Sequence, residues 1–419
     1  MKKTIFGCLG AAAVAFALQF TPANVEASIF GACDPCGEGY CGPCDDTWMN
    51  PCDPFSTFDG CGPKAGKWFL NGHIESGFFA NSNGNASTYG EEAWDVLGRG
   101  ADATSGNSAR LQNVRLTGGQ INQVYVSMGR KVDGKRGLDV GGKVDFTWGS
   151  DAYKVQSGGM EYFGSEDSVD RWGSGDYFAA FAQAYVEFEY KRVNVIAGKW
   201  YTPLGIDGYK STDNFFYSWS SMTSMLPKTA GGVLATYKAS DKFTLVGGWG
   251  MPDEIGLSSK NNYFLGGFNW KVGNRNRVSI DYVFAVGENT YGENDFDAFV
   301  HTLKVNRQLT KRLLSTFAWS LVNENTSEGA QTATWSLANE FIYKHNDKWS
   351  FGLRTGTFRD EMADLDWYSI ALGSNWTQNK WLTVKPEIRY DWLEGGEEPM
   401  LFGDSRYQFS GGLSAVVKF

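Results

Sequence analysis

Apolar and polar residues alternate along the last thirteen residues of the chain, from Tyr407 to Phe419. One face of this segment carries Tyr407, Phe409, Gly411, Leu413, Ala415, Val417 and Phe419. The other face carries Gln408, Ser410, Gly412, Ser414, Val416 and Lys418. Because strand side chains point alternately to opposite faces, this pattern predicts a strand with one face against hydrocarbon and the other against water. A strand of a soluble sandwich shows the same alternation, so this segment alone does not decide between the two.

The same alternation recurs upstream, with charged residues confined to one face of each segment. Leu382, Val384, Ile388, Tyr390 and Trp392 alternate with Thr383, Lys385, Glu387, Arg389 and Asp391. About sixteen such segments begin near residues 67, 120, 136, 177, 192, 229, 241, 262, 275, 298, 311, 332, 347, 365, 380 and 405. An even number is expected of a bacterial membrane barrel, and about nine to fourteen residues suffice for a tilted strand to cross a bilayer. The segment around His301 has no clear inward face.

The connections between these segments alternate between short and long. Short polar turns are predicted at 190–192, 238–242, 272–276, 308–311, 345–348 and 377–380. Long connections are predicted at 80–120, 149–175, 200–228, 251–261, 287–297, 323–331 and 394–404. Short periplasmic turns and long outer loops are typical of outer-membrane barrels. The predicted fold is therefore all-β, a transmembrane antiparallel up-and-down β-barrel of about 16 strands. The aromatic strand ending at Phe419 also resembles the C-terminal signal by which such barrels are recognised for assembly.

Composition agrees with this fold. Aromatic residues make up 15% of the chain and glycine 52 of its 419 residues. Mean hydropathy is nonetheless negative, because only alternate residues of a barrel strand face lipid. Tryptophans at the ends of segments predict an interfacial girdle, with packing inside a sheet as the alternative. The formal net charge of −9 argues against a nucleic-acid partner, which requires a basic face.

The chain divides into three parts. Residues 1–27 have a basic start, an apolar stretch and a small-residue cleavage site after Ala27, which predicts a signal peptide; an uncleaved signal anchor is the alternative. Residues 28–66 form a predicted Cys-rich periplasmic segment, and residues 67–419 the barrel. The Cys-rich segment holds Cys33, Cys36, Cys41, Cys44, Cys52 and Cys61. An even count in an exported chain favours disulfides, with envelope cross-links and a metal site as weaker alternatives.

A family resemblance lies in residues 193–205, which read Val-Asn-Val-Ile-Ala-Gly-Lys-Trp-Tyr-Thr-Pro-Leu-Gly. A strand ending in Gly-Lys-aromatic and running into Thr-Pro-Leu-Gly resembles the OmpL-like family of β-barrel porins, the second such family. The resemblance covers most of residues 67–419 and implies a porin of the bacterial outer membrane. It does not imply a particular solute.

The connection at 200–228 is the candidate pore constriction, because a sixteen-stranded barrel otherwise leaves an open aqueous lumen. Its candidate residues are Lys199, Asp207, Tyr209, Lys210 and Asp213. The candidate lumen wall consists of Glu340, Lys344, Arg354, Lys385, Glu387 and Arg389, whose mixed signs predict weak selectivity. Replacing Asp207 and Asp213 by Asn is expected to move the channel towards anions. The alternative is that this loop only packs against the wall.

The function predicted from these observations is passive diffusion of small hydrophilic solutes or ions through an aqueous channel. The alternative is a structural or adhesive surface barrel with a plugged lumen. An enzyme is not predicted, because the three histidines, His73, His301 and His345, have no identifiable nucleophile or orienting group beside them. No cofactor is predicted. The expected partners are outer-membrane lipid, small hydrophilic solutes or ions, and further copies of the chain in a homotrimer, although the sequence shows no interface.

Overall fold

Sixteen long antiparallel strands form one closed sheet in the computed structural model. The structure describes residues 68–83, 118–157, 160–165, 168–174, 177–252, 262–273, 277–291, 294–326, 331–361, 363–396, 402 and 405–419. The strands are β1 (Trp68–Asn81), β2 (Gly118–Arg130), β3 (Asp139–Gly149), β4 (Tyr177–Tyr190), β5 (Val193–Tyr201), β6 (Thr229–Lys238), β7 (Phe243–Pro252), β8 (Asn262–Val272), β9 (Val278–Tyr291), β10 (Asn294–Gln308), β11 (Leu313–Thr326), β12 (Gln331–Lys344), β13 (Trp349–Asp360), β14 (Leu365–Asn379), β15 (Leu382–Gly395) and β16 (Tyr407–Lys418).

Pairing between the first and last strands closes the barrel. Ile74 of β1 lies opposite Val417 of β16 on one side and opposite Val124 of β2 on the other. Two backbone hydrogen bonds between Gly72 and Phe419, each 2.9 Å long, complete the seam. Closure leaves no sheet edge, so every strand has two hydrogen-bonded neighbours, as hydrocarbon requires. The predicted fold class is confirmed.

Side chains alternate across the barrel wall as the sequence predicts. Large apolar side chains such as Leu70, Phe264 and Leu372 are exposed on the outer face. Inward positions carry polar and charged groups, among them Asp145, Lys304 and the buried charges of β15. Trp349 and Trp376 lie directly opposite each other where β13 and β14 meet the turn side of the barrel, with ring centroids 6.3 Å apart. Their position agrees with an interfacial girdle.

The strand β10 differs from its prediction. It begins at Asn294 rather than near residue 298, and its ladder with β9 continues to the pair Tyr291–Asn294. The long connection predicted at 287–297 is therefore wrong, because backbone hydrogen bonds extend the hairpin through a mostly polar stretch of sequence. His301 faces outward, 2.6 Å from the Tyr282 hydroxyl, while Thr302 and Lys304 supply the buried inward face that the sequence left unclear.

Three of the described connections contain structure of their own. Between β2 and β3 lies the 3-10 helix Gly134–Arg136. Between β3 and β4 lie the 3-10 helix Ala152–Val155 and a short hairpin of Tyr162–Ser165 and Ser168–Arg171. Between β5 and β6 lie residues 202–228, here named the inner loop, with 3-10 helices Ser211–Asp213 and Ser221–Met225. No helix among the described residues is long and apolar enough to cross a membrane. The predicted signal peptide, the Cys-rich segment and its six cysteines lie outside the described residues.

Candidate channel constriction

The inner loop folds into the barrel and contacts the wall opposite its own strands. It is flanked by β5 and β6, yet its hydrogen bonds reach inward-facing residues of β13 and β15, about half the circumference away in the strand order. Other contacts reach β2, where the Gln123 amide donates to the Tyr209 carbonyl oxygen over 2.9 Å. Ser211 N donates to Gln123 Oε1 over 3.0 Å. The loop is therefore attached to a wide arc of the lumen wall.

Glu387 of β15 holds the centre of the loop. Its Oε2 accepts hydrogen bonds from the backbone N–H groups of Tyr217 and Ser218, over 2.7 and 3.1 Å. Its Oε1 accepts a further hydrogen bond from the Ser218 hydroxyl. A buried carboxylate is costly unless its oxygens are hydrogen-bonded, and three donors meet that requirement here.

Two arginines bind the same turn of the loop from either side of Glu387. Arg354 Nη2 donates to the carbonyl oxygen and the hydroxyl of Ser218, both over 2.8 Å. Arg389 Nη1 donates to the Trp219 carbonyl oxygen over 2.6 Å. A short contact of 2.7 Å with Asp391 Oδ1 orients Arg389. The set Glu387, Arg354 and Arg389 is here named the latch.

Asp207 belongs to this network rather than to an open surface. Its Oδ2 accepts from Ser220 N over 2.9 Å and from the Thr223 hydroxyl over 2.6 Å, while Arg354 Nη1 lies 3.5 Å from Oδ1. Burial opposes ionisation, but Arg354 and Lys228 together hold the pKa of Asp207 below its ordinary value. The carboxylate is thus a charged anchor inside the loop.

Four other predicted residues lie in the inner loop or bind it directly. Lys385 of β15 is buried and donates to the carbonyl oxygens of Ser211 and Asn214, over 2.6 and 2.7 Å. Lys210 and Asp213 form a partly exposed ion pair of 3.0 Å within the inner loop. The Tyr209 hydroxyl lies 3.0 Å from that of Thr147 of β3, and its ring is buried.

Three predicted residues lie away from the latch or at its margin. Lys199 of β5 is fully buried and pairs over 3.3 Å with Glu161 of the connection between β3 and β4. Glu340 of β12 is partly exposed and lies 3.8 Å from Arg354. Lys344 lies at the turn end of β12, where it pairs over 3.1 Å with Asp347. The structure therefore brings most, but not all, of the predicted residues together.

The sequence did not predict which uncharged residues would join the inner loop to the barrel wall. Ser218 and Gln123 are uncharged, and no spacing marked them as ligands of the wall. The inward-facing glycines of the wall strands could have indicated where the loop packs, because a side chain at these positions would collide with it. A Cβ on Gly352 would lie 2.3 Å from Phe215 Cε1, and one on Gly412 would lie 2.7 Å from Tyr217 Cδ1. These glycines make room for the aromatic run of the inner loop.

His73 of β1 lies beside Gln123, which also binds the inner loop. His73 is buried, its Nε2 donates to Gln123 Oε1 over 2.9 Å, and its ring stacks on Tyr125 with a centroid distance of 5.0 Å. Among the described residues, no group of three or more His, Cys, Asp or Glu could hold a metal ion.

Comparison with known proteins agrees with a closed porin barrel. Residues 69–419 match the family described as "Putative beta-barrel porin-2, OmpL-like". The chain belongs to this porin family. The porin is therefore an outer-membrane channel protein of a bacterial cell. No curated protein matches its sequence.

Solved structures share the fold of this porin at low sequence identity. The outer membrane channel DcaP of Acinetobacter baumannii aligns with a TM-score of 0.55 and 12% identity, over 85% of this chain and 99% of DcaP. An anion-selective porin from Comamonas acidovorans aligns with a TM-score of 0.54 and 12% identity, over 84% and 99%. OmpT of Vibrio cholerae, in its trimer form, aligns with a TM-score of 0.52 and 14% identity, over 85% and 100%. At these identities the likeness concerns the fold.

Proposed function

We propose that this porin passes small hydrophilic solutes or ions by passive diffusion and that the inner loop sets the width of its channel. The observation that carries the proposal is the latch, which fixes the loop at Ser218 by contacts from β13 and β15. A barrel of sixteen strands has a wide lumen, so a loop held across it determines the size of the solute that passes.

The charges around the loop favour weak ion selectivity. Arg354, Arg389, Lys385 and Lys228 lie near Glu387, Asp207, Asp391, Glu340 and Glu75, so the two signs are present in similar numbers. The exposed pair Lys210 and Asp213 is likewise balanced. Since an ion in the lumen meets a lining of nearly zero net charge at this level, neither sign is strongly preferred.

Planar-bilayer recording of the refolded protein tests the proposal. Wild-type protein should give stepwise conductance events, and replacing residues 208–219 by a short glycine–serine linker should increase the size of each step. Shortening the connection at 253–260 by a similar amount is the control and should leave the step size unchanged. Equal steps in all three proteins would contradict the role of the loop. A silent wild type together with a silent linker variant would favour the alternative, a surface barrel with a plugged lumen.

The assembly proposed for this porin is a homotrimer in the outer membrane. Support comes from the shared fold with OmpT of Vibrio cholerae, which is described in a trimer form. Light scattering of the detergent-solubilised protein should give the mass of three chains, and conductance steps should then appear in groups of three. A mass of one chain under mild detergents would contradict the trimer. The family and fold indicate a channel rather than an enzyme.

A further inference from the structure

The connection between β3 and β4 also folds into the barrel. Asp151, near its start, is buried and accepts a hydrogen bond from Gln123 Nε2 over 3.1 Å. Lys199 of β5 is buried and donates to the Val155 carbonyl oxygen over 2.5 Å. The Gln123 amide also donates to the inner loop at Tyr209. The β3–β4 connection and the inner loop are therefore attached to the same part of the wall.

Trp219 is the residue of the inner loop where the two connections meet. Lys154 of the 3-10 helix Ala152–Val155 places its Nζ 3.8 Å from the centroid of the Trp219 ring. Lys228, at the end of the inner loop, places its Nζ 4.9 Å from the same centroid. An aromatic ring attracts a cation placed over its face. One buried indole therefore holds two ammonium groups from different connections, and Lys154 with Lys228 is here named the lysine pair.

The lysine pair reaches solvent, whereas the carboxylates nearest to it do not. Lys154 and Lys228 are both partly exposed. Asp151 is fully buried, and its carboxylate is hydrogen-bonded to the wall. Asp207 is 8% exposed, and its carboxylate accepts hydrogen bonds from within the inner loop. The charge that faces solvent beside Trp219 is therefore positive.

We infer that the lysine pair is a subsite for anionic groups, such as carboxylate or phosphate, of solutes in the channel. The inference rests on the proposed function, because it assigns a solute preference to the same constriction. Two ammonium groups held at one ring repel each other, and an anion in contact with both offsets that repulsion. Charges of both signs are present in similar numbers around the latch, so the expected result is a moderate preference for anions rather than strict selectivity.

The charge of the lysine pair depends on pH near neutrality. Burial lowers the pKa of Lys154 to about 7, although the carboxylates of Asp151 and Asp207 oppose the shift; Lys228 adds to it. Asp207 stays ionised at this pH, because Arg354 and Lys228 hold its pKa below the ordinary value. Lys154 is therefore charged below about pH 7 and neutral above it. The preference for anions should weaken as the pH rises through this value.

Reversal potentials under a potassium chloride gradient measure this preference. Replacing Lys154 and Lys228 by Met removes both charges and keeps the apolar stems, so the permeability ratio of chloride to potassium should fall roughly threefold. The matched control, Lys135→Met with Lys348→Met, removes two charges from exposed turns and should leave the ratio unchanged. Inorganic phosphate or acetate in the bath should reduce the chloride current of the wild type more than that of the double variant.

A pH series on the wild type tests the subsite without any substitution at the constriction. The permeability ratio of chloride to potassium should fall between about pH 6 and pH 8, and this fall should be absent in Lys154→Met. A wild-type ratio in a conducting double variant would refute the subsite while the porin function stands. If the double variant does not fold, a wild-type ratio that is independent of pH refutes the subsite instead. A wild type that never conducts contradicts the proposed function itself.

Discussion

The substitution Glu387→Gln tests the latch most directly. The carboxylate receives three hydrogen bonds from Tyr217 and Ser218 and has Arg354 Nη2 within 3.9 Å. Glutamine has nearly the same volume but only one acceptor oxygen and no charge. The glutamine NH₂ group must then face either the N–H groups of Tyr217 and Ser218 or the guanidinium of Arg354. In both positions a donor faces a donor.

The expected weakening follows from the hydrogen bonds that the substitution removes or makes neutral. A hydrogen bond to a charged group contributes about 1.5–3 kcal/mol and a neutral one about 0.5–1.5 kcal/mol. Losing one charged bond and converting the others to neutral bonds therefore costs the docked loop about 3 kcal/mol. That change lowers the ratio of docked to displaced loop roughly 100-fold. Arg354 and Arg389 still bind Ser218, so the loop should become mobile rather than leave the lumen.

Single-channel noise in planar bilayers measures this mobility. The variant should show larger and more variable conductance steps than the wild type at the same salt and voltage. Glu394→Gln is the control, because Glu394 lies in the same strand but is exposed at its outer end. The backbone ladder of β15 is unchanged in both, so both should migrate as folded barrels. Steps of wild-type size and variability in folded Glu387→Gln protein would refute the latch.

Four further outcomes are expected. Lys199→Met leaves Glu161 buried without its cation and should lower the free energy of unfolding by about 3–5 kcal/mol; adding Glu161→Gln should recover part of that loss in urea titrations. Asp213→Asn, on the partly exposed lumen pair, should shift the reversal potential modestly towards anions, and an unchanged potential would place Asp213 off the ion path. Burial lowers the pKa of Lys154 to about 7, with Lys228 adding to the effect and Asp151 opposing it. The pKa of a lysine in the unfolded chain is about 10.4, so the unfolded state binds more protons between the two values. The free energy of unfolding of the wild type should therefore rise from about pH 7 to 10 relative to that of Lys154→Met. Deleting residues 28–66 should leave conductance intact, and loss of barrel assembly would show that this segment is required.

The strands of this porin are predictable because alternate residues of a membrane-barrel strand face lipid and the lumen. Lipid selects apolar groups at every second position, and this signal survives in β15 and β16 without any knowledge of their partners. The beginning of β10 was not predictable in this way. Its first residues lie in a mostly polar stretch of the sequence, so only the backbone ladder with β9 specifies them.

The site was predictable in its parts but not in its arrangement. An inward direction for Arg354, Glu387 and Arg389 follows from alternation alone. Alternation does not predict that these side chains are buried beneath Ser218, because that burial depends on how the inner loop packs against the wall. Asp207 shows the consequence: from the sequence it is a loop carboxylate facing an ion path, whereas in the structure Ser220, Thr223 and Arg354 occupy its oxygens.

The nature of the latch also explains how a loop can define a channel width reproducibly. Apolar contact is non-directional, so an inner loop held only by the packing of Met222 and Leu226 on the barrel wall could slide along that wall at little cost. Arg354 and Arg389 donate to the carbonyl oxygens of Ser218 and Trp219, and Glu387 accepts from the N–H groups of Tyr217 and Ser218. These hydrogen bonds are directional and fix one register of the loop. The charges need not stabilise the barrel for this purpose, since buried ion pairs contribute little net stability. Their effect is to exclude other positions of the loop, which is the property that a constriction of constant width requires.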